Sequence, residues 1–171
     1  ALVASAGYTA DQIYQAVRDN EWTWDVLIDI SHAGAVYNTE TARYDIQGLS
    51  KVFIQNVVMT MCKGPVYFNG EKYVSGLSDI SFISALNTCY NRIVMDASVM
   101  ACKEGVAGAG LGNSAARQTF YDQQSIFGVF DSFDGLASNA NFAYGIVPFP
   151  RGSAMNEYVT TMLYAGAFGC Q

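Results

Sequence analysis

Residues 21–25 read Glu21-Trp22-Thr23-Trp24-Asp25 and place both tryptophans of the chain two residues apart. Upstream, Thr9 stands three residues before Gln12, which is the spacing of a helix capping box. Within the stretch, Thr23 has the chemistry of a second N-cap, and Asp25 falls in the following turn, where negative charge suits the helix dipole. The segment therefore predicts two helices joined at a sharp corner, which the two tryptophans clamp by packing.

Short apolar or alternating segments downstream are bounded by turn residues and predict strands. They lie near residues 44–48, 66–74, 126–130 and 143–148. Within the second segment, Asn69-Gly70 favours a type I′ turn and hence a β-hairpin. Together with the helical patterns, these strands predict an α/β fold whose mixed sheet is flanked by helices.

The longest helical pattern covers residues 79–95, with apolar side chains in a sustained row. Ser50 is predicted to cap another helix that runs to about Met61, and Gly48 is predicted to open a tight turn just before it. Residues 31–43 and the glycine-rich segment 105–112 are predicted to be loops. Asn113-Ser114 then favours a helix that extends to about Asp122.

The composition excludes several classes of protein. The chain has 171 residues, a formal net charge of −6 and no basic cluster, so a nucleic-acid phosphate backbone is not an expected partner. No apolar run reaches the roughly 18 to 20 residues of a membrane span. Four cysteines without a C-x-x-C pair, and a single histidine, argue against a zinc site. We expect one domain over residues 1–171, no metal or cofactor, and cysteines that are mostly buried free thiols, although two disulfides are arithmetically possible.

Four motifs occur in order along the chain. They are the corner at 21–25, the strand and turn ending in Gly48-Leu49-Ser50, the hairpin Gly70-Glu71-Lys72-Tyr73-Val74 with the helix containing Phe82-Ile83-Ser84-Ala85-Leu86-Asn87, and Phe142-Ala143-Tyr144-Gly145-Ile146-Val147-Pro148-Phe149-Pro150-Arg151-Gly152. In this order they resemble one lobe of the extracellular solute-binding proteins of carbohydrate ABC importers, the class that includes maltose-binding protein. The resemblance implies one lobe of a two-lobed periplasmic-binding-protein-like fold, with an extracellular, cell-surface or virion location.

The same resemblance implies a set of ligand-binding residues. The helix after the tyrosine-and-glycine strand starts at the ligand cleft in that family, which assigns Ser50 and Phe53 to the cleft. Phe133 stands nearest to the position at which an aromatic side chain meets the sugar. Trp22 or Trp24 would lie at the edge of this surface. The alternative for the two phenylalanines is that both are core residues.

A single lobe cannot trap a ligand by closing a hinge between two faces. We therefore expect a non-enzymatic module that acts through protein–protein contacts or self-association, at the surface around residues 48–53 and 131–135. The alternative is the carbohydrate-binding component of an importer, and weak sugar affinity is compatible with both. Enzymatic activity is not expected, because acid pairs such as Asp25 and Asp29 have the spacing of solvated helix residues, and because His32 has no nucleophile motif beside it.

Overall fold

The computed structural model describes residues 2–130, 133–153, 155–159 and 167–170 of the chain. A five-stranded mixed sheet, a separate two-stranded hairpin and flanking helices make up a mixed α/β fold, as the sequence predicts. The helices are α1 (Leu2–Ser5), α2 (Ala10–Arg18), α3 (Trp24–Gly34), α4 (Ile54–Met61), α5 (Ile80–Thr88), α6 (Asn113–Tyr121) and α7 (Phe133–Asn139). The strands are β1 (Val36–Asn38), β2 (Arg43–Leu49), β3 (Val66–Phe68), β4 (Tyr73–Ser75), β5 (Ser125–Phe130), β6 (Gly145–Val147) and β7 (Ala167–Cys170).

The main sheet has the strand order β1-β2-β5-β7-β6. Strands β2 and β5 run parallel, with Leu49 opposite Phe127, whereas every other pair in this sheet is antiparallel. Two of these strands correct the sequence analysis. Residues 36–38 form the edge strand β1 inside a segment that was predicted to be a loop, and β7 occupies an interior position that no sequence pattern indicated. Residues 158–161, Tyr-Val-Thr-Thr, also have the composition of a strand. No strand is formed at Tyr158 and Val159, and residues 160–161 lie outside the described ranges.

The helical corner forms as predicted. The Thr9 side chain accepts a hydrogen bond from the Gln12 backbone while the Gln12 side chain accepts one from the Thr9 backbone, which completes the capping box of α2. The Thr23 side chain accepts a hydrogen bond from the backbone N–H of Val26 and so caps α3. Both caps satisfy backbone donors that a helix start would otherwise leave without partners.

Helix α4 corrects a predicted boundary. Phe53, not Ser50, is its N-cap residue, and no side chain caps this end of the helix. The chain is still held by the sheet at Ser50, because the Ser50 N–H donates to the Phe127 carbonyl at 2.9 Å. A further 2.9 Å bond, from the Gly48 N–H to the Ser98 carbonyl, continues the strand on its other side, so Gly48 lies within β2 and opens no turn.

The helix predicted over residues 79–95 is present, but its second half is wider than an α-helix. Residues 80–88 are α-helical, and residues 89–94 continue the same helix with π-helical hydrogen bonds. The hairpin is also present, with a longer connection than Asn69-Gly70 alone predicted. Residues 69–72 join its strands, and the Asn69 side-chain oxygen accepts hydrogen bonds from the backbone N–H groups of Glu71 and Lys72.

Candidate functional site

The residues that were expected to form a ligand cleft follow strands at one edge of the main sheet. Because β2 and β5 are parallel neighbours, the segment 50–53 and the start of α7 follow them at the same edge. In open α/β sheets, ligands bind outside the carboxyl ends of such strands. The topology therefore brings the chain positions of Ser50, Phe53 and Phe133 to the edge where the sequence analysis placed them.

The side chains at this edge do not form one exposed surface. Ser50 is only 2% exposed, and Phe53 is half-buried beneath the Lys51 ammonium, which lies 4.9 Å from the ring centroid. The Phe133 side chain lies outside the described part of the structure, as do the side chains of residues 131–135. Burial of Ser50 corrects the expectation that it would face an incoming ligand.

Both tryptophans belong to the core instead of a cleft edge. Trp22 donates its indole N–H to the Pro148 carbonyl at 2.9 Å and packs against Phe127. Trp24 donates to the Thr60 hydroxyl at 2.8 Å and packs against Phe149. Trp22 is fully buried and Trp24 is 2% exposed, so their role is the packing role that the sequence stretch itself predicted.

A second feature was missed by the sequence analysis and holds the same corner. The Arg151 guanidinium donates to the backbone carbonyls of Asn20, Gly152 and Met155. Backbone bonds also run from the Trp24 N–H to the Arg151 carbonyl, at 3.1 Å, and from the Arg151 N–H back to Trp22. The motif that resembles a solute-binding lobe at residues 142–152 therefore serves here as the partner of the tryptophan corner.

A small groove adjoins the expected cleft edge. It has a volume of about 220 Å³ and lies between the start of α4 and the glycine-rich segment, with Val52, Met100 and Leu111 among its lining residues. At its rim, the Lys51 ammonium donates to the Asn113 side-chain oxygen at 2.5 Å. The groove offers an apolar floor and one cation, which suits a small group and is below the roughly 300 to 1,000 Å³ of most ligand pockets.

A larger, polar groove of about 800 Å³ lies against β1 and β2. Its walls include Tyr37, Arg43 and Asp45, with the half-buried Cys102 among the remaining lining residues. The charged groups at its mouth are exposed and carry both signs, which is typical of a solvated surface. Within the described ranges, no group of three or more His, Cys, Asp or Glu side chains could hold a metal ion.

The most distinctive exposed feature is apolar and lies elsewhere, on the hairpin and the helix that follows it. Eight large apolar residues within residues 66–90 are at least 40% exposed, and Ile80 reaches 85%. We call them the hairpin–helix surface: Val66, Phe68, Tyr73, Leu77, Ile80, Ile83, Leu86 and Tyr90. All eight side chains are aliphatic or aromatic.

The hairpin supplies the first half of this surface, because its side chains alternate between an outer and an inner face. Val66, Phe68 and Tyr73 share the outer face, where the Phe68 and Tyr73 rings are 5.5 Å apart across the strands. Tyr67 points to the inner face, where Asp79 at the start of α5 raises the pKa of its phenol by a hydrogen bond and by its charge. The inner contact fixes the hairpin to α5 and leaves the outer face toward solvent.

Helix α5 and its π-helical continuation supply the second half. Ala85, Cys89 and Ile93 are buried, and burial raises the pKa of the Cys89 thiol to about 11. A second face, with Ser81 and Thr88, borders a cleft of about 230 Å³ beside Trp24. The third face carries Ile83, Leu86 and Tyr90, which are 40 to 54% exposed.

The hairpin–helix surface has the size and the charge of an interface. A fully exposed large apolar residue offers roughly 150 to 250 Å², so these eight residues expose on the order of 900 Å². A typical stable protein–protein interface buries about 800 Å² per partner. Between Tyr73 and Asn91 the only charged residue is Asp79, although the chain as a whole carries a net charge of −6. Apolar patches of this extent on a protein surface usually mark contact sites.

Within the described residues, no helix is long and apolar enough to cross a bilayer. Comparisons of the chain with protein-family models, with curated proteins and with solved structures found no match.

Proposed function

We propose that this protein is a non-enzymatic interaction module that binds a protein partner through the hairpin–helix surface. The observation that carries the proposal is the exposed apolar area of that surface, which is comparable to one side of a standard interface. The surface differs from the one expected at residues 48–53, because Gly48, Leu49 and Ser50 are buried. In keeping with the sequence resemblance, the proposed setting is an extracellular, cell-surface or virion assembly.

The alternative function is carbohydrate binding, as in the importer components that the sequence motifs resemble. One observation favours it, namely the groove beside Lys51 and Phe53 at the carboxyl edge of β2 and β5. Its volume of about 220 Å³ would leave much of an oligosaccharide in water. The interaction module therefore ranks first, with sugar affinity weak or absent.

Amine-reactive cross-linking of the protein in its native source tests the proposal. Lys72 lies in the hairpin connection and Lys63 lies just before β3, with its ammonium 5.1 Å from the Tyr67 ring centroid. Peptides with either lysine are expected to be joined to a second polypeptide, whereas the exposed Lys103, outside the surface, serves as the internal control. Cross-links of Lys63 and Lys72 that stay within one chain, while Lys103 is joined to other polypeptides, would refute this location.

Calorimetric titration with oligosaccharides separates the two functions. The interaction module predicts a Kd in the millimolar range or no heat, because one shallow groove provides few contacts. A monomer with micromolar sugar affinity would favour the carbohydrate-binding function instead. The Phe53→Ala variant provides a matched control for the titration. The Phe53 ring is required for carbohydrate binding but not for contact through the hairpin–helix surface.

A further inference from the structure

We propose that the polar groove against β1 and β2 binds a dipeptide with free ends, whose carboxylate lies on Arg43 and whose ammonium lies on Asp45. The groove shares no lining residue with the hairpin–helix surface, so the inference goes beyond the proposed function and does not depend on it. Its volume of about 800 Å³ lies within the roughly 300 to 1,000 Å³ of most ligand pockets. The inference is carried by the floor of the groove, by two opposite charges on that floor and by the spacing between them.

One face of β2 forms the floor of the groove. Arg43, Asp45 and Gln47 alternate along the strand, so their side chains share one face, and all three line the groove. The Gln47 side-chain nitrogen donates to the carbonyl of Ala97, another lining residue, at 2.7 Å. Thr119 of α6 also lines the groove. Three separate parts of the chain therefore build the site, and a hydrogen bond fixes two of them to each other.

Two opposite charges on this floor are held apart. The stem of Arg43 packs against Gly105, where an added Cβ would lie 3.1 Å from the Arg43 Cγ. Within the described residues, the Arg43 guanidinium makes no hydrogen bond or ion pair. Asp45 accepts a hydrogen bond from the Asn38 side-chain nitrogen at 3.0 Å instead of pairing with the guanidinium. A ligand with one negative and one positive end would therefore meet a complementary charge at each end.

The balance of charge favours such a zwitterion over a simple anion. Glu104 is the third charged residue that lines the groove, and its carboxylate lies 4.0 Å from the Lys103 ammonium. A purely anionic ligand would meet the Asp45 and Glu104 carboxylates beside the guanidinium, and a purely cationic ligand would meet Arg43. A guanidinium binds a carboxylate through two parallel hydrogen bonds, and a carboxylate accepts hydrogen bonds from an ammonium. The free carboxyl and amino ends of a peptide supply both groups.

The spacing of the two charges sets the length of the peptide. Arg43 and Asp45 are two residues apart on a strand that rises ~3.4 Å per residue, so their Cα atoms are about 7 Å apart. An extended peptide spans at most ~3.3 to 3.6 Å per residue, so two residues bridge about the same distance. A single amino acid carries both charges on one carbon atom and is shorter than this separation. The length therefore favours a dipeptide, and the rest of the groove is available to its side chains.

The backbone around the groove supports the site independently of its charges. Ala42 and Glu104 line the groove with φ values of 54° and 55°, and they are two of the four non-glycine residues with positive φ in the described chain. Such conformations are uncommon outside glycine, and they cluster at ligand sites and other functional sites.

Calorimetric titration of the purified chain with the dipeptide alanyl-leucine tests the inference. Its leucine side chain is chosen because Leu111 offers an apolar contact in the groove. Wild-type protein should bind it with a Kd below about 1 mM. Amidation of the carboxyl end and acetylation of the amino end should each weaken binding at least ~10-fold, the factor that corresponds to one charge-assisted hydrogen bond. Free leucine should bind more weakly than the dipeptide by at least the same ~10-fold factor, because it cannot reach both charged groups.

Variants of the two charged residues test the assigned contacts. Arg43→Gln and Asp45→Asn should each weaken the binding of alanyl-leucine at least ~10-fold. The double variant Arg43→Asp with Asp45→Arg should bind more tightly than either single variant, because the dipeptide can enter with its ends reversed, and a purely structural role would give no such recovery. Lys103→Gln is the matched control, because Lys103 is an exposed cation next to the groove and is not among its lining residues. Circular dichroism verifies that all variants are folded.

Several results would each overturn the inference. They are the absence of binding to wild-type protein, equal binding of the acetylated or amidated dipeptide, equal affinity for free leucine, and single variants that bind like wild type. None of them bears on the proposed function, because the hairpin–helix surface is tested separately by the cross-links of Lys63 and Lys72.

Discussion

Arg151 is expected to contribute more to stability than any other charged residue of the described chain, because its guanidinium joins two distant segments at the tryptophan corner. Its Nε donates to the Asn20 carbonyl at 2.9 Å, and its Nη1 donates to Gly152 at 3.1 Å and to Met155 at 2.6 Å. Asn20 itself has a positive φ of 60°, so its carbonyl is aimed by a backbone conformation that is uncommon outside glycine.

Replacement of Arg151 by methionine preserves the apolar stem and removes every one of these donors. A hydrogen bond from a charged donor contributes about 1.5 to 3 kcal/mol, and water can replace part of this because the side chain is half-buried. We therefore expect Arg151→Met to lower the free energy of unfolding by about 3 kcal/mol. For a chain of this length, the loss corresponds to a fall in Tm of roughly 6 to 12 °C. Arg151→Lys retains one donor group and should fall between the wild type and methionine.

Urea unfolding followed by tryptophan fluorescence provides the assay, since both tryptophans adjoin the site. The control is Arg43→Met, because the exposed Arg43 guanidinium makes no hydrogen bond or ion pair in the described residues, and this variant should stay within about 0.5 kcal/mol of wild type. A loss below about 1 kcal/mol in Arg151→Met, or an equal loss in Arg43→Met, would show that packing of the tryptophans alone holds the corner.

Gly48→Ala should cost about 3 kcal/mol or more in urea unfolding, because its Cβ would lie 2.1 Å from the Ser31 hydroxyl and 2.8 Å from the Val99 carbonyl; Gly110→Ala, whose Cβ would meet only the Met100 methyl group at 3.9 Å, should be near neutral. Partial burial works to raise the pKa of Asp96, but hydrogen bonds from Ser98 and His32 outweigh it and keep the pKa below its usual value of about 3.9. This carboxylate therefore stabilises the fold above that value, the contribution is lost as pH falls through the lowered pKa, and Asp96→Asn should flatten the acid limb of a stability-versus-pH curve. Thiol labelling of folded protein at pH 8 should modify Cys102 well before Cys62 or Cys89, since the latter two are buried and burial raises the pKa of the Cys89 thiol to about 11; equal labelling rates would contradict this order.

Features with local causes could be predicted from the sequence. The capping box of Thr9 and Gln12 needs only groups within three residues of each other, and the cap at Thr23 is equally local. The strand near residues 126–130 and the helix near 113–122 also carry their own signals, namely a short apolar run and a polar start. These elements are present within one or two residues of their predicted bounds.

Features with distant causes could not be predicted. The segment that contains Gly48 and Ser50 has the composition of a turn and a cap, yet bonds to residues 98 and 127 extend the strand through it. Gly48 is required because α3 crosses β2 so closely that a Cβ would collide with Ser31. Strand β7 is defined by partners about 25 and 40 residues upstream in the chain, in β6 and β5, and its four residues, Ala-Phe-Gly-Cys, are too few to carry a strand pattern.

The hairpin–helix surface also could not be predicted from the sequence, because its exposure depends on how the rest of the chain packs. In sequence, α5 is apolar on more than one face, since Phe82, Ala85 and Cys89 alternate with Ile83, Leu86 and Tyr90. Such a helix is expected to be buried all round, and the pattern alone does not say by what. In the structure, one face of this helix packs on α4, whereas the face with Ile83, Leu86 and Tyr90 is exposed. The exposed apolar residues are consequently the ones on which the proposed interaction surface is based, which is why that proposal rests on the structure and not on the motifs.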